Sequence, residues 1–291
     1  LLGREIASAL RGRTLPYTLL PFSFAEYLRY HGVDAKDVHS TENRNRIIAL
    51  FDRYLVRGGY PEVLDYDDEM FVRTLQSYVD IMMYRDVIER HDIRSIHVVR
   101  DMARRLMATN AMTFSVHKYF KDLRSRGVRV SKDTLYGLLD HFTDAFLVLP
   151  VNRFDPSVAK QEQALKKIYV SDPGLTAAYT LDRAANAGRQ LETVVFLELK
   201  KRELDVFYWA DDTECDFVVQ EGQRVARAIQ VCYELSDENR DREVRGLVSA
   251  LDNFQLQDGL LLTHLQEDRL DVQGHRINVR PVWKWILGAE V

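Results

Sequence analysis

The sequence has little cysteine and no long apolar stretch. Only two of its 291 residues, Cys215 and Cys232, are cysteines, too few for a disulfide framework or a cysteine-rich zinc site. No run of 18 apolar residues and no charged-then-apolar leader occurs, so the sequence predicts neither a membrane span nor a secretory signal. These absences favour a cytoplasmic protein with no membrane partner.

Motifs of several enzyme classes are missing too. The phosphate-cradling pattern G-x-x-x-x-G-K-[ST] does not occur, nor does the G-x-S-x-G turn of serine hydrolases. The eight histidines form no H-x-x-x-H pair, which argues against a zinc enzyme. We therefore expect no ATP hydrolysis by these 291 residues alone and no cofactor of their own.

Charge is unevenly distributed along the chain. The formal net charge of -4 argues against a protein that coats nucleic acid along its whole surface. Residues 94–132 nevertheless hold ten Lys and Arg against two Asp, whereas residues 203–260 hold fourteen Asp and Glu against five Arg. A basic middle followed by an acidic end predicts separate modules with different partners.

Hydrophobic periodicity divides the chain into three regions. Residues 1–92 have the three- and four-residue apolar spacing of helices, the last of which is predicted over residues 70–90. Residues 93–180 predict three helices followed by two strands, which is the order of a winged helix. Ser115 and Ser131 are the predicted caps of its second and third helices. Residues 190–291 alternate helix and strand, which predicts a mixed sheet flanked by helices, with Trp283 and Trp285 on its last strand. The predicted fold class is therefore α+β with three domains.

The predicted winged helix concentrates Lys and Arg, the residues that contact nucleic-acid phosphates. The exposed positions of its third helix, including Tyr136 and Asp140, lack Arg and Asn, so base reading is expected to be weak. The alternatives are a protein partner and a merely solvated face. The candidate nucleic-acid contacts are Arg100, Arg104, Arg105, Lys118, Lys121, Arg124, Arg126, Arg129 and Lys132.

Three stretches resemble prokaryotic AAA-type P-loop ATPases that carry a C-terminal domain of unknown function. They are LPFSFAEYL at residues 20–28, GGYPEV at residues 58–63 and KIYVSDPGL at residues 167–175. The resemblance implies that residues 1–92 are the end of an ATPase module with its helical lid. It also implies that ATP and Mg²⁺ bind in a part of the parent protein upstream of Leu1, where the sequence opens in the middle of a helical pattern. Arg11 and Arg13 are then candidates to contact a γ-phosphate, the alternative being a solvated helix end.

The last region resembles the PD-(D/E)XK nuclease fold through Glu192, Asp216 and the strand Gln230-Val231-Cys232. That resemblance implies Mg²⁺ held by Asp216 and Glu192, beside a second acid and a lysine. Gln230 stands where the second acid would be and Cys232 where the lysine would be. A neutral amide and a thiol replace the needed charges, which predicts a degenerate site. The alternative is rescue by a displaced cation, Lys200 or Lys201.

Three hypotheses about function follow. The first is the regulatory portion of an ATP-binding AAA-type ATPase that binds DNA or a protein partner without catalysis by itself. The second is a divalent-metal nuclease of the PD-(D/E)XK class. The third is a protein–protein interaction module, which includes association into a homo-oligomer. The first is preferred.

Overall fold

A computed structural model describes residues 17–35, 37, 38, 40–180 and 186–288. Over these residues the chain is a mixed α+β protein, which confirms the predicted class in its general form. Arg11 and Arg13 lie outside the described residues. The helices are α1 (Phe24–Tyr30), α2 (Thr41–Arg57), α3 (Asp68–Ile81), α4 (Ile96–Ala108), α5 (Val116–Ser125), α6 (Lys132–Asp144), α7 (Val158–Gln163), α8 (Pro173–Tyr179), α9 (Ala187–Lys201), α10 (Arg240–Phe254) and α11 (Val282–Ile286). The strands are β1 (Met112–Phe114), β2 (Val148–Val151), β3 (Lys166–Val170), β4 (Asp205–Ala210), β5 (Glu214–Glu221), β6 (Arg224–Val231), β7 (Asp258–Thr263), β8 (Asp268–Val272) and β9 (His275–Pro281).

Serine caps begin the helices of the middle region. The Ser115 hydroxyl accepts a hydrogen bond from the Lys118 amide at 3.2 Å, and that of Ser131 accepts one from the Thr134 amide at 3.0 Å. Each bond satisfies one of the amides that a helix leaves unpaired in its first turn. The capped starts of α5 and α6 confirm the sequence prediction at these two positions.

A small antiparallel sheet of order β1-β3-β2 accompanies these helices. Strand β3 lies in the centre, where Ile168 is opposite Met112 of β1 and Val170 is opposite Val148 of β2. Strand β1 is too short, at three residues, to give a recognisable alternating pattern, and the sequence did not predict it. Its partner β3 therefore forms the middle of a sheet rather than the edge of a hairpin.

The large sheet has six strands in the order β4-β5-β6-β7-β9-β8. It is mixed, because β7 runs parallel to β6 and β9 while the other pairs are antiparallel. Phe217 and Val219 point to the core that contains α9, and Val218 between them points to the core that contains α10. This period of two places one helical layer on each face of the sheet.

Hydrophobic packing crosses the predicted domain boundaries. One core joins α3 and the segment after it to α4, α5, α6 and the small sheet. A second core joins α1 and α2 to α9 and to one face of the large sheet. Helices α1 and α2 therefore pack on the last domain, while α3 packs on the middle one.

Residues from the three stretches that resemble the ATPase family contact one another at a single place, which we call the joint. The buried Asp172 carboxylate accepts hydrogen bonds from the amides of Gly59 at 2.7 Å and Gly174 at 2.8 Å. Gly58 has φ +68°, and a Cβ there would lie 1.7 Å from the Asp172 Oδ1 atom. The Phe22 amide donates to the Gly59 carbonyl at 2.8 Å. Glycine is required because backbone and carboxylate pass too close for a side chain.

Two local predictions require correction. Trp283 and Trp285, expected on a final strand, lie on the short helix α11, because Pro281 ends β9 and its fixed φ of -62° leads into a helical turn. The helix predicted over residues 70–90 is regular only to Ile81, and Met82–Glu89 continues it as a π-helix. In the part of the chain that the structure describes, no helix is long and apolar enough to span a bilayer.

Candidate functional site

A buried lysine lies at the centre of the candidate site. Lys167 of β3 is 3% exposed, and its Nζ atom lies 2.7 Å from Glu214 Oε1, 2.8 Å from Glu192 Oε1 and 2.9 Å from Asp216 Oδ1. Burial by itself would lower the pKa of Lys167, but the surrounding carboxylates, Asp216 and Glu192 foremost, outweigh it and raise that pKa well above its ordinary value. The three acids around Lys167 therefore favour its charged form.

Three elements of secondary structure supply the four charged groups. Lys167 and Tyr169 alternate with apolar residues along β3, which turns both toward α9 and the large sheet. Glu214 and Asp216 are two apart on β5, and Glu192 lies on α9. The Tyr169 hydroxyl donates to Glu192 Oε1 at 2.6 Å. A strand of the small sheet thus completes an acidic cluster on the large one.

The surroundings of Glu192 disfavour its charged form. Burial raises the pKa of Glu192 to about 7, and the negative charge of Asp216 adds to the rise. The ion pair and hydrogen bond from Lys167, together with the Tyr169 hydroxyl, oppose it without reversing it. With three carboxylates and one ammonium, the cluster has an excess of negative charge that a proton on Glu192 partly relieves.

Gln230 links Asp216 to Glu243, and both ends of its amide have hydrogen-bond partners there. Its Oε1 atom accepts from the Asp216 amide at 3.2 Å, and its Nε2 atom donates to Glu243 Oε2 at 2.8 Å. The Asp216 Oδ2 atom accepts from the Val231 amide at 3.0 Å. A glutamate at position 230 would place a second negative charge against Glu243, which explains why an amide fits here.

Cys232 does not supply the missing cation. Its thiol donates to the Glu234 carbonyl at 3.0 Å and accepts from Asn239 Nδ2 at 3.5 Å. Burial raises the pKa of Cys232 to about 11, so the group is a neutral thiol at pH 7. The ammonium of Lys201, one of the two alternative cations, lies 3.7 Å from Glu26 and donates to the Pro21 carbonyl. Lys200 is exposed on α9.

Sequence reasoning missed Lys167 although a signal was present. A charged residue alternating with Ile168, Tyr169 and Val170 in a short strand requires a buried partner or an exposed face. The partners lie 25 or more positions further along the chain, and only the tertiary fold brings them to β3. Glu214 and Glu243 were missed for the same reason.

A cavity of about 940 Å³ opens over the cluster. Its lining includes eight Asp and Glu residues and three Arg, and among the eight are Glu192, Glu214 and Asp216. Within the described ranges, no set of three or more His, Cys, Asp or Glu side chains is arranged to hold a metal ion. Glu192 and Asp216 are the predicted Mg²⁺ ligands, but Asp216 already uses one oxygen on Lys167 and the other on the Val231 amide. The side chains do not fit a divalent ion unless the ammonium moves away.

The structure separates the nine basic residues into distinct groups. Arg126 forms ion pairs with Asp101 at 3.0 Å and Asp122 at 3.1 Å, so its charge is neutralised. Arg100 and Arg104 line a different cavity, of about 1040 Å³, between α3, α4 and α8, and Arg100 also stacks on Tyr84. The remaining six lie exposed on α4, α5, the loop after α5 and the start of α6: Arg105, Lys118, Lys121, Arg124, Arg129 and Lys132.

Comparisons with known proteins give relatives without a described activity. Residues 48–186 match the family described as "Domain of unknown function (DUF8612)". The chain is 32% identical over 299 residues to an uncharacterized protein of Methanocaldococcus jannaschii, covering 99% of this chain and 66% of the relative. It is 25% identical over 289 residues to an uncharacterized protein of Haemophilus influenzae, covering 99% and 68%. The chain thus spans about two thirds of the length of these relatives. No solved structure matches it.

Proposed function

We propose that the chain is the C-terminal regulatory region of an AAA-type ATPase and that it binds a partner without catalysing a reaction itself. The order α4, α5, α6 followed by the antiparallel pair β2 and β3 supports a winged-helix unit. The mixed six-stranded sheet, with Glu192 on α9 and Asp216 on β5, supports a nuclease-like domain. In this proposal ATP and Mg²⁺ belong to the parent protein.

The observation that carries the proposal is the position of Lys167. Its ammonium lies within 2.9 Å of the acids that would hold a divalent cation, and it is almost fully buried. A tethered cation needs no soluble metal to balance these acids. It also cannot polarise a water molecule while all its short contacts are carboxylates. The cluster is then a structural remnant of a metal site.

Plasmid cleavage tests this proposal. The chain is incubated with supercoiled DNA and Mg²⁺ or Mn²⁺, and the expected result is no nicking above that seen without protein. ATP turnover is measured for the same chain and for the protein extended upstream of Leu1. We expect hydrolysis from the extended protein alone. An extended protein that neither binds nor hydrolyses ATP would contradict the proposal.

A second candidate is a metal-dependent nuclease, which the same lysine favours. Lys167 supplies a cation 2.9 Å from Asp216, although Cys232 occupies the expected lysine position. The nuclease candidate predicts divalent-dependent nicking that disappears in Asp216→Asn and in Lys167→Met. The matched control is Lys200→Met, which removes an exposed lysine of α9 and should cut as the wild type does.

A further inference from the structure

The outer face of α5 presents basic side chains in register. His117, Phe120, Lys121 and Arg124 follow each other at spacings of three, one and three residues, so they lie on one side of the helix. The buried face of α5 is formed by other positions: Val116, Tyr119 and Leu123. We call the surface formed by His117, Phe120, Lys121 and Arg124, together with Lys132 of α6, the basic stripe.

Lys132 brings the start of α6 to the same face. Its Nζ atom lies 5.5 Å from the centroid of the Phe120 ring, and the Arg124 guanidinium carbon lies 5.7 Å from it. Both cations are therefore held beside one aromatic ring. The charge of Lys132, followed by burial and the charge of Lys121, lowers the pKa of His117. Cations from two helices thus converge on one patch.

The charges of the basic stripe are unpaired. Among the described residues, no carboxylate lies within 4.0 Å of the charged atoms of Lys121, Arg124 or Lys132. Arg126, at the end of the same helix, shows the contrast, because Asp101 holds it with two hydrogen bonds of 3.1 and 3.0 Å. The fold neutralises Arg126 and leaves the basic stripe available for an anionic partner.

We propose that the basic stripe binds the phosphate backbone of duplex DNA without reading its sequence. A polymer with one charge per ~1.7 Å of helix axis can engage several closely spaced cations at once, which isolated acidic side chains of a protein surface match less well. The amino ends of α5 and α6, with their positive helix dipoles, lie beside His117 and Lys132 and add to the attraction.

The exposed face of α6 explains why bases are not read. Asp133 and Asp140 place carboxylates on either side of the exposed Tyr136, and carboxylates repel phosphates and cannot donate to purine acceptors. In the proposed contact the DNA backbone meets α5 and the first residue of α6, not the exposed face of α6. The inference rests on the proposed function only in that it gives the binding region a ligand.

The test is fluorescence anisotropy of the full chain with short labelled duplexes of two unrelated sequences at several salt concentrations. We expect equal affinity for both sequences and binding that weakens as salt rises. Lys121→Ala, Arg124→Ala and Lys132→Ala should each weaken binding several-fold and reduce the slope of log K against log salt by about 0.9. Arg269→Ala, which removes an exposed arginine of β8, should behave as wild type.

The double variant Lys121→Arg and Lys132→Arg keeps the charge and should retain binding, which separates charge from fold. Undetectable binding at low salt overturns the inference. So does an equal loss in the Arg269→Ala control, or displacement of the protein by poly-glutamate as effectively as by DNA. The last result would identify an acidic protein partner. None of these outcomes bears on plasmid cleavage or ATP turnover, so a failure here is distinguishable from a failure of the proposed function.

Discussion

Replacing Lys167 by Met should leave three carboxylates clustered without their cation. Met has nearly the volume of the lysine stem, so packing is retained while the charge is lost. Three oxygens lie within 2.9 Å of the removed ammonium, and the site is almost fully shielded from water. Removing one partner of a buried ion pair costs about 3–5 kcal/mol of the free energy of unfolding. We expect the lower half of that range, because Glu192 can take up a proton.

The pH dependence of this loss distinguishes electrostatics from packing. Burial raises the pKa of Glu192 to about 7 with Lys167 present, and removing the lysine raises it further. A raised pKa means that the folded state binds the proton more tightly, so the variant regains stability as pH falls. Urea unfolding at pH 8 and pH 6 measures the loss of unfolding free energy in Lys167→Met at each pH, with Lys200→Met as control. A loss below about 1 kcal/mol at pH 8, or an equal loss at pH 6, would refute the reasoning.

Three further predictions concern the contact of Asp172 with Gly58 and Gly59 and the hydrogen bonds of the Gln230 amide. Gly58→Ala should lower the free energy of unfolding by about 3 kcal/mol or more. Gly32→Ala, also at positive φ but with open space around it, should lower it by about 1 kcal/mol. Thermal unfolding compares the two variants. Burial raises the pKa of Asp172 to about 7. The stability that the folded state gains by holding this proton is therefore lost as pH rises through that value. The stability gap between wild type and Asp172→Asn should therefore narrow from pH 5 to pH 8 in urea titrations, and a widening gap would contradict this. Gln230→Glu should destabilise by about 2–4 kcal/mol, and adding Glu243→Gln should restore most of the loss in a double-mutant cycle.

The local features of the fold were predictable because neighbouring residues determine them. Ser115 and Ser131 mark the starts of α5 and α6 through bonds to amides three residues away. Apolar alternation identified the strands of the large sheet. The short elements β1 and α8 were not predicted, since three to seven residues contain too little of either period.

The candidate site was predictable only in part. Asp216 and Glu192 were named through the resemblance to the PD-(D/E)XK fold, and both contact Lys167 in the structure. Gln230 and Cys232 line the cavity over the cluster, and their hydrogen bonds go to Glu243 and to the Glu234 carbonyl. Lys167 escaped notice because a lysine on a strand gives no indication of which distant carboxylates it will meet. Its burial depends on the docking of β3 against α9 and β5.

Titration with Mn²⁺ tests most directly whether Lys167 stands in the place of a metal. Calorimetry of the wild-type chain should show no saturable Mn²⁺ binding, and its thermal unfolding should not change with Mn²⁺ concentration. In Lys167→Met the freed oxygens of Glu192, Glu214 and Asp216 should bind Mn²⁺, and the unfolding temperature should rise with its concentration. Saturable Mn²⁺ binding by the wild-type chain that disappears in Asp216→Asn would contradict the proposed role of Lys167.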